Sequence, residues 1–171
     1  WSFERAYTLQ SVVANRYLSV LRSTYVYTGG AHPNTDLNTI LWDDTVKKPI
    51  SIRPFFKELA DNGPTLTAMR HAIISSLKTE KKERGLESDD SWTRDVEPKL
   101  LGIGAVELAP STETGKSAGL IFNYSPYAVG SYAEGTYEAF VPWDVLKPYL
   151  TQEGAAIFGG SRPAEPKSPR K

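Results

Sequence analysis

A chain of 171 residues with 40% hydrophobic and 23% charged side chains has the make-up of one ordinary globular domain. Lys plus Arg and Asp plus Glu each number 20, so the formal charge is zero, which argues against a dedicated nucleic-acid binder, since that needs a basic excess. Cysteine is absent and only His32 and His71 represent histidine, which excludes disulfides and thiolate chemistry and leaves no expectation of a metal or other cofactor. No apolar run approaches the roughly 20 residues of a membrane span, and no secretory signal is visible. A chain that opens on Trp1 rather than Met is expected to have an upstream segment that was removed or lies elsewhere.

Residues 2–27 are rich in β-branched and aromatic side chains, including Val12, Val13, Tyr17, Val20, Tyr25, Val26 and Tyr27, and read as strand with a turn at Ala14-Asn15-Arg16. The run stops at Thr28-Gly29-Gly30-Ala31-His32-Pro33-Asn34. Gly29 and Gly30 permit positive φ, and Pro33 biases His32 toward an extended conformation, so a tightly specified loop presenting polar side chains is expected. A strand follows at 37–42, a turn at 43–49 and a short return strand at 50–52. Residues 53–59 read as a short helix with Pro54 in its first turn.

Asn62-Gly63-Pro64 breaks that helix, and 65–84 forms the best helix of the chain. Leu66, Met69, Ala72, Ile73, Ser76 and Leu77 recur at helical spacing as a buried stripe, and His71 lies off it toward solvent. The mixed charges of 78–84 read as a solvated, salt-bridged end, with Gly85 as C-cap. A further short helix is expected over 92–101. Strands return at 106–108, 119–124 and 136–141, the second with Leu120, Phe122 and Tyr124 on one face and the third with Tyr137, Ala139 and Val141. Residues 144–150 read as a short helix. From 159 to 171 the composition turns to Gly, Ser, Pro, Lys and Arg, expected as a flexible tail after a single domain over 1–158. Strands, then helices, then strands predict an α+β fold: a largely antiparallel sheet with helices on one face.

Two segments carry functional interest. In the segment from Phe122 to Gly135, Tyr124, Tyr127 and Tyr132 sit on a connection that also holds Pro126, Gly130 and Gly135. Tyrosine gives contact area at low entropic cost, which suits recognition, although any single ring can equally close the edge of the core. His32 invites acid-base chemistry with Asp36 or Glu134, but no serine elbow, HExxH or paired-carboxylate motif accompanies it, and a loop histidine bonded to backbone is the plainer reading. Asp43-Asp44 and Glu87-Ser88-Asp89-Asp90 lack calcium-loop spacing and read as solvated turns.

The Tyr25-x-Tyr27-Thr28-Gly29-Gly30-Ala31-His32-Pro33-Asn34 stretch, the Trp42-Asp43 strand end, Ile50-Ser51-Ile52 before Phe55-Phe56, and Phe122-x-Tyr124-x-x-Tyr127-x-x-Gly130 leading to Gly135 and Val141-Pro142-Trp143-x-x-Leu146 together resemble a known family. The stretch from about 11 to 150 resembles the extracytoplasmic C-terminal domain of RsiV-type lysozyme-sensing anti-sigma factors, a domain of unknown function that also accompanies the catalytic domain of PdaC-type peptidoglycan deacetylases. The resemblance implies an α+β domain outside the cytoplasmic membrane, periplasmic or at the cell envelope, without catalytic machinery of its own. The expected function is therefore binding of a protein, lysozyme in the anti-sigma relatives, or of a cell-wall glycan. Tyr27, His32, Asn34, Tyr124, Tyr127 and Tyr132 are the candidate contacts, and Gly29, Gly30, Pro33, Gly130 and Gly135 shape the loops. An envelope hydrolase using His32 and a structural accessory domain are the alternatives.

Overall fold

The structure is a computed structural model that describes residues 1–86 and 89–164. Among the described residues, seven strands divide between two antiparallel sheets. The first holds β1 (Ser2–Val13), β2 (Tyr17–Tyr27), β3 (Asn34–Asp43) and β4 (Lys48–Ile50) in that order. The second holds β5 (Ala105–Leu108), β6 (Gly119–Tyr124) and β7 (Tyr137–Pro142). Between them runs α1 (Pro64–Glu83), and after them come α2 (Trp143–Leu146) and α3 (Gln152–Ile157). The α+β class is as the sequence predicts, with the strands forming two sheets.

Local chemistry explains the elements. Ala14 and Asn15 both take positive φ, the signature of a hairpin turn that matches strand twist, and Arg16 N–H returns to Val13 C=O at 3.0 Å. Arg16 then grips Asp43 through two bonds of 2.8 Å, tying the turn to the end of β3. Asp43 is thus buried rather than on the solvated turn expected of it, and the guanidinium holds its carboxyl down to about 2. Pro64 occupies the first turn of α1, where its missing N–H costs no hydrogen bond.

The core lies between α1, the inner face of the β5–β6–β7 sheet and the 52–59 segment. Leu66, Met69, Ile73 and Leu77 of α1 pack with Leu120, Phe122, Tyr137, Ala139 and Val141. Side-chain bonds to backbone join the two sheets: Ser11 Oγ donates to Leu108 C=O at 2.6 Å, and Leu108 N–H donates to buried Ser19 Oγ at 3.0 Å.

Several expectations need correction. The helix at 53–59 is one tight turn, Arg53–Phe55, because Phe56 returns to extended backbone and bridges Leu150. The helix at 92–101 is the short turn Asp90–Asp95, since the chain beyond it runs toward Pro98. The helical end at 78–84 is not all solvated: Lys81 is buried. Residues 159–161, the first of the expected flexible tail, hydrogen-bond to 111–117 and to Trp143, and Arg162 pairs with Glu138. Residues 165–171, and Glu87-Ser88 of the acidic run, lie outside the described residues. The remainder of that run is Asp89, which caps Ser91 N–H, and Asp90, which pairs with Lys78 at 2.6 Å.

Candidate functional site

The loop after β2 turns as its glycines require. Gly29 and Gly30 have φ of 88° and 128°, and Tyr27 O–H donates to Gly30 C=O at 3.2 Å. This carries His32 across to the connection between β6 and β7. The His32 ring lies 3.8 Å from the Tyr132 ring at an interplanar angle of 21°, a stacked pair. Tyr127 completes the cluster, 5.5 Å from Tyr132 and 6.0 Å from His32, centroid to centroid.

The hydrogen bonds assign the tautomer of His32. Its Nδ1 lies 3.0 Å from Pro33 C=O, which can only accept, so Nδ1 carries the proton. Nε2 is then the acceptor for Tyr127 O–H at 3.1 Å. The nitrogen that would act as a base therefore holds a phenol. Asp36 and Glu134, the acidic partners considered for His32, bond elsewhere: Asp36 accepts from Ser125 Oγ, and Glu134 pairs with Lys81.

Tyr127 is the unusual member. It has φ of 73°, a region that costs a bulky L residue, yet its side chain is 61% exposed. Tyr132 and His32 are half-buried. Tyr124 is core: its ring is buried and its O–H donates to Ile103 C=O at 2.5 Å, with burial raising its pKa. Asn34 is exposed at the start of β3, opposite Val26, and no hydrogen bond among the described residues joins its side chain to the rings.

A network absent from the sequence expectations holds the tyrosine loop. Lys81 Nζ, reaching from α1, meets Glu134 Oε2 at 2.6 Å, and Tyr137 O–H donates to the same oxygen at 2.6 Å. Ser131 N–H donates to Glu134 Oε1 at 2.8 Å. Burial pushes the Glu134 carboxyl up, but the bonds from Lys81, Tyr137 and Ser131 prevail and hold it at about 2. The Lys81 ammonium also sits over the Tyr137 and Trp92 rings at 4.4 and 5.1 Å. Gly130 leaves room for this carboxylate, because a Cβ there would lie 2.5 Å from Glu134 Oε2, and Gly135 turns the chain into β7 at φ of 77°. Lys81 follows Leu77 by four residues on the stripe 66, 69, 73, 77, so helical spacing alone marks it as inward-facing.

Beside the rings lies a groove of about 290 Å³, lined among others by Lys81, Trp92, Asp95, Tyr127, Ser131 and Glu134. The buried Nε1 of Trp92 has no hydrogen-bond partner among the described residues. A larger cavity, about 650 Å³, lies apart from the rings, between α1, β7 and Arg162-Pro163. Two of its carboxylates, Glu80 and Glu138, are already paired with Arg84 and Arg162. No group of three metal-ligating side chains and no helix long and apolar enough to cross a membrane occurs among the described residues.

Two solved structures share the fold. A DUF3298 family member from Bacteroides fragilis superposes with a TM-score of 0.61 at 18% identity, over 89% of this chain and 56% of that one. A DUF3298 family protein from Pseudomonas aeruginosa superposes with a TM-score of 0.62 at 14% identity, over 93% of this chain and 65% of that one. This chain thus spans between about half and two thirds of the length of those structures. No curated protein matches it. The family model described as "Protein of unknown function (DUF3298)" matches residues 57–144, from the end of the 52–59 segment through α1 and the tyrosine loop to the head of α2, and the chain belongs to that family.

Proposed function

We propose that this chain is a non-catalytic binding domain, acting in the periplasm or at the cell envelope, that recognises a protein or cell-wall glycan through the surface around His32, Tyr127 and Tyr132. The observation that carries the reading is Tyr127. A tyrosine held at positive φ with its ring in solvent adds strain to the fold and little burial, which is the pattern of a residue kept for contact rather than for stability. The stacked His32 and Tyr132 rings and the Lys81–Glu134 anchor fix its position in advance, so less ordering entropy is lost on binding.

The resemblance of the Gly-Gly-Ala-His loop and the tyrosine connection to lysozyme-sensing anti-sigma factors makes a lysozyme-like protein the first ligand to try. Peptidoglycan is the second, from the resemblance to the domain that accompanies peptidoglycan deacetylases. Binding of purified lysozyme and of purified peptidoglycan, measured separately by calorimetry or pull-down, tests the reading. Tyr127→Gly relieves the backbone and is expected to keep or raise the melting temperature while weakening binding by on the order of 2 kcal/mol, about thirtyfold. Cleavage of peptidoglycan that His32→Ala abolishes in a folded protein would replace this reading with a hydrolase.

A further inference from the structure

β1 is an edge of the four-stranded sheet, and its outer side is only partly covered. From Ser11 onward the edge is occupied: Ser11 Oγ bonds Leu108 C=O, and Ala14 N–H bonds Gly115 C=O at 2.9 Å. From Ser2 to Leu9 every residue is exposed, and no backbone partner lies beyond the edge among the described residues. This free length contains no proline or lysine, and its protective features are the charges of Glu4 and Arg5 and the bulge that closes it at Gln10.

It is also apolar on one face. Phe3, Tyr7 and Leu9 are 59, 58 and 55% exposed and share a face by alternation. The bulge at Gln10 shifts the phase by one residue, so that Val12, opposite Leu18, continues the same face as Leu9, opposite Val20. Ile40 and Trp42 extend that face through β3.

We infer that β1 pairs antiparallel with β1 of a second copy of this chain, joining two four-stranded sheets into one. The occupant follows from self-complementarity. Face matching requires that odd residues meet odd residues and even meet even. Centred on Arg5 or on Glu4, the pairing sets like charges against each other. Centred on Ala6, it sets Phe3 against Leu9, Glu4 against Thr8, and Arg5, whose guanidinium lies 5.1 Å over the Phe3 ring of its own strand, against Tyr7. This register runs from Ser2 to Gln10, so it ends where the edge becomes occupied. A register centred on Tyr7 has no like-charge pair but drives Phe3 against Ser11, which is already engaged. The zero net charge of the chain adds no long-range repulsion between copies.

The absence of cysteine makes the register directly testable. In this pairing Ala6 faces its own copy at about 4.5–5.5 Å between Cα atoms, within disulfide reach. Thr8, on the same face and also exposed, stands four residues from its copy, about 13 Å at the strand rise and beyond reach. Under mild oxidation Ala6→Cys is expected to convert to a covalent dimer and Thr8→Cys to stay monomeric. The unmodified chain is expected to show twice its monomer mass by light scattering at micromolar concentration. Ala6→Lys, which sets two ammonium groups opposite each other, is expected to halve that mass with an unchanged circular dichroism spectrum. Monomer mass up to hundreds of micromolar, or equal cross-linking at positions 6 and 8, overturns the inference, and the cysteine comparison decides even if Ala6→Lys fails to fold.

Discussion

Lys81 and Glu107 are both charged residues taken out of water, with opposite consequences. Lys81, its side chain 3% exposed, is paired with Glu134 and capped by two rings, so its removal leaves a largely buried carboxylate uncompensated. Lys81→Ala is expected to cost about 3–5 kcal/mol in a urea melt and to loosen the tyrosine loop. The Glu134 carboxyl lies below its ordinary value of 4.5, so its stabilisation is present above pH 4.5 and is lost as pH falls toward about 2. Glu107 on β5 is the reverse case. It is 2% exposed, its Oε2 has no partner among the described residues, and burial pushes its pKa up to about 7. The folded state then holds a proton that the unfolded chain releases near pH 4.5, so stability is full below that pH and declines as pH rises to about 7. Glu107→Gln is therefore expected to match the parent at pH 4.5 and to exceed it by on the order of 3 kcal/mol at pH 8. Melting curves for both proteins across that range check it; a constant offset between them would mean that Glu107 is already ionised and partnered.

At the scale of elements, α1 shows what periodicity can and cannot tell. Its stripe was legible because Leu66, Met69, Ile73 and Leu77 are apolar and correctly spaced. Ile73 is fully buried, and Ile73→Ala is expected to cost about 2–5 kcal/mol, whereas His71→Ala on the exposed side should stay within about 0.5. Comparable losses at both positions in a denaturant series would place the wrong face inward. The last turn of the same stripe was illegible by residue type, because Lys81 lies inward only through a carboxylate supplied from Glu134, 53 residues on. The same limit separates the rings. Sequence marked His32, Tyr127 and Tyr132 as polar aromatics on glycine-rich loops, but their stacking depends on where two sheets place those loops. Tyr124 looks identical by type and goes to the core, because strand alternation at the end of β6 turns it inward with Leu120 and Phe122. The short elements were the least legible: 53–59 and 92–101 contain enough helix-compatible residues, but bridging at Phe56 and the proline at 98 decide otherwise.

At the scale of the molecule, the chain closes through the segment that composition least recommends. Residues 159–161 run beside the turn between β5 and β6: Gly159 N–H bonds Ser117 C=O at 2.9 Å, Ser111 Oγ bonds Gly159 C=O at 2.7 Å, and Thr112 N–H bonds Ser161 C=O at 2.8 Å. Trp143 Nε1 donates to Gly160 C=O at 3.0 Å, which ties the head of α2 to the same strip. Arg162 then pairs with Glu138 and lies over the Phe140 ring at 5.4 Å, covering the outer face of the β5–β6–β7 sheet where Ile121 and Glu107 are buried. A chain ending at Phe158 therefore loses several backbone bonds, leaves the Trp143 indole N–H without its acceptor, and uncovers Phe140. At about 0.5–1.5 kcal/mol net per bond, the loss is expected to reach roughly 2–4 kcal/mol. A chain ending at Ala164 keeps all of these contacts and is expected to melt above the chain ending at Phe158. Scanning calorimetry on the two truncations checks the difference. Melting of both at the same temperature would show that the 159–164 strip adds nothing to the fold, and that the outer sheet face is stable without Arg162 lying across it.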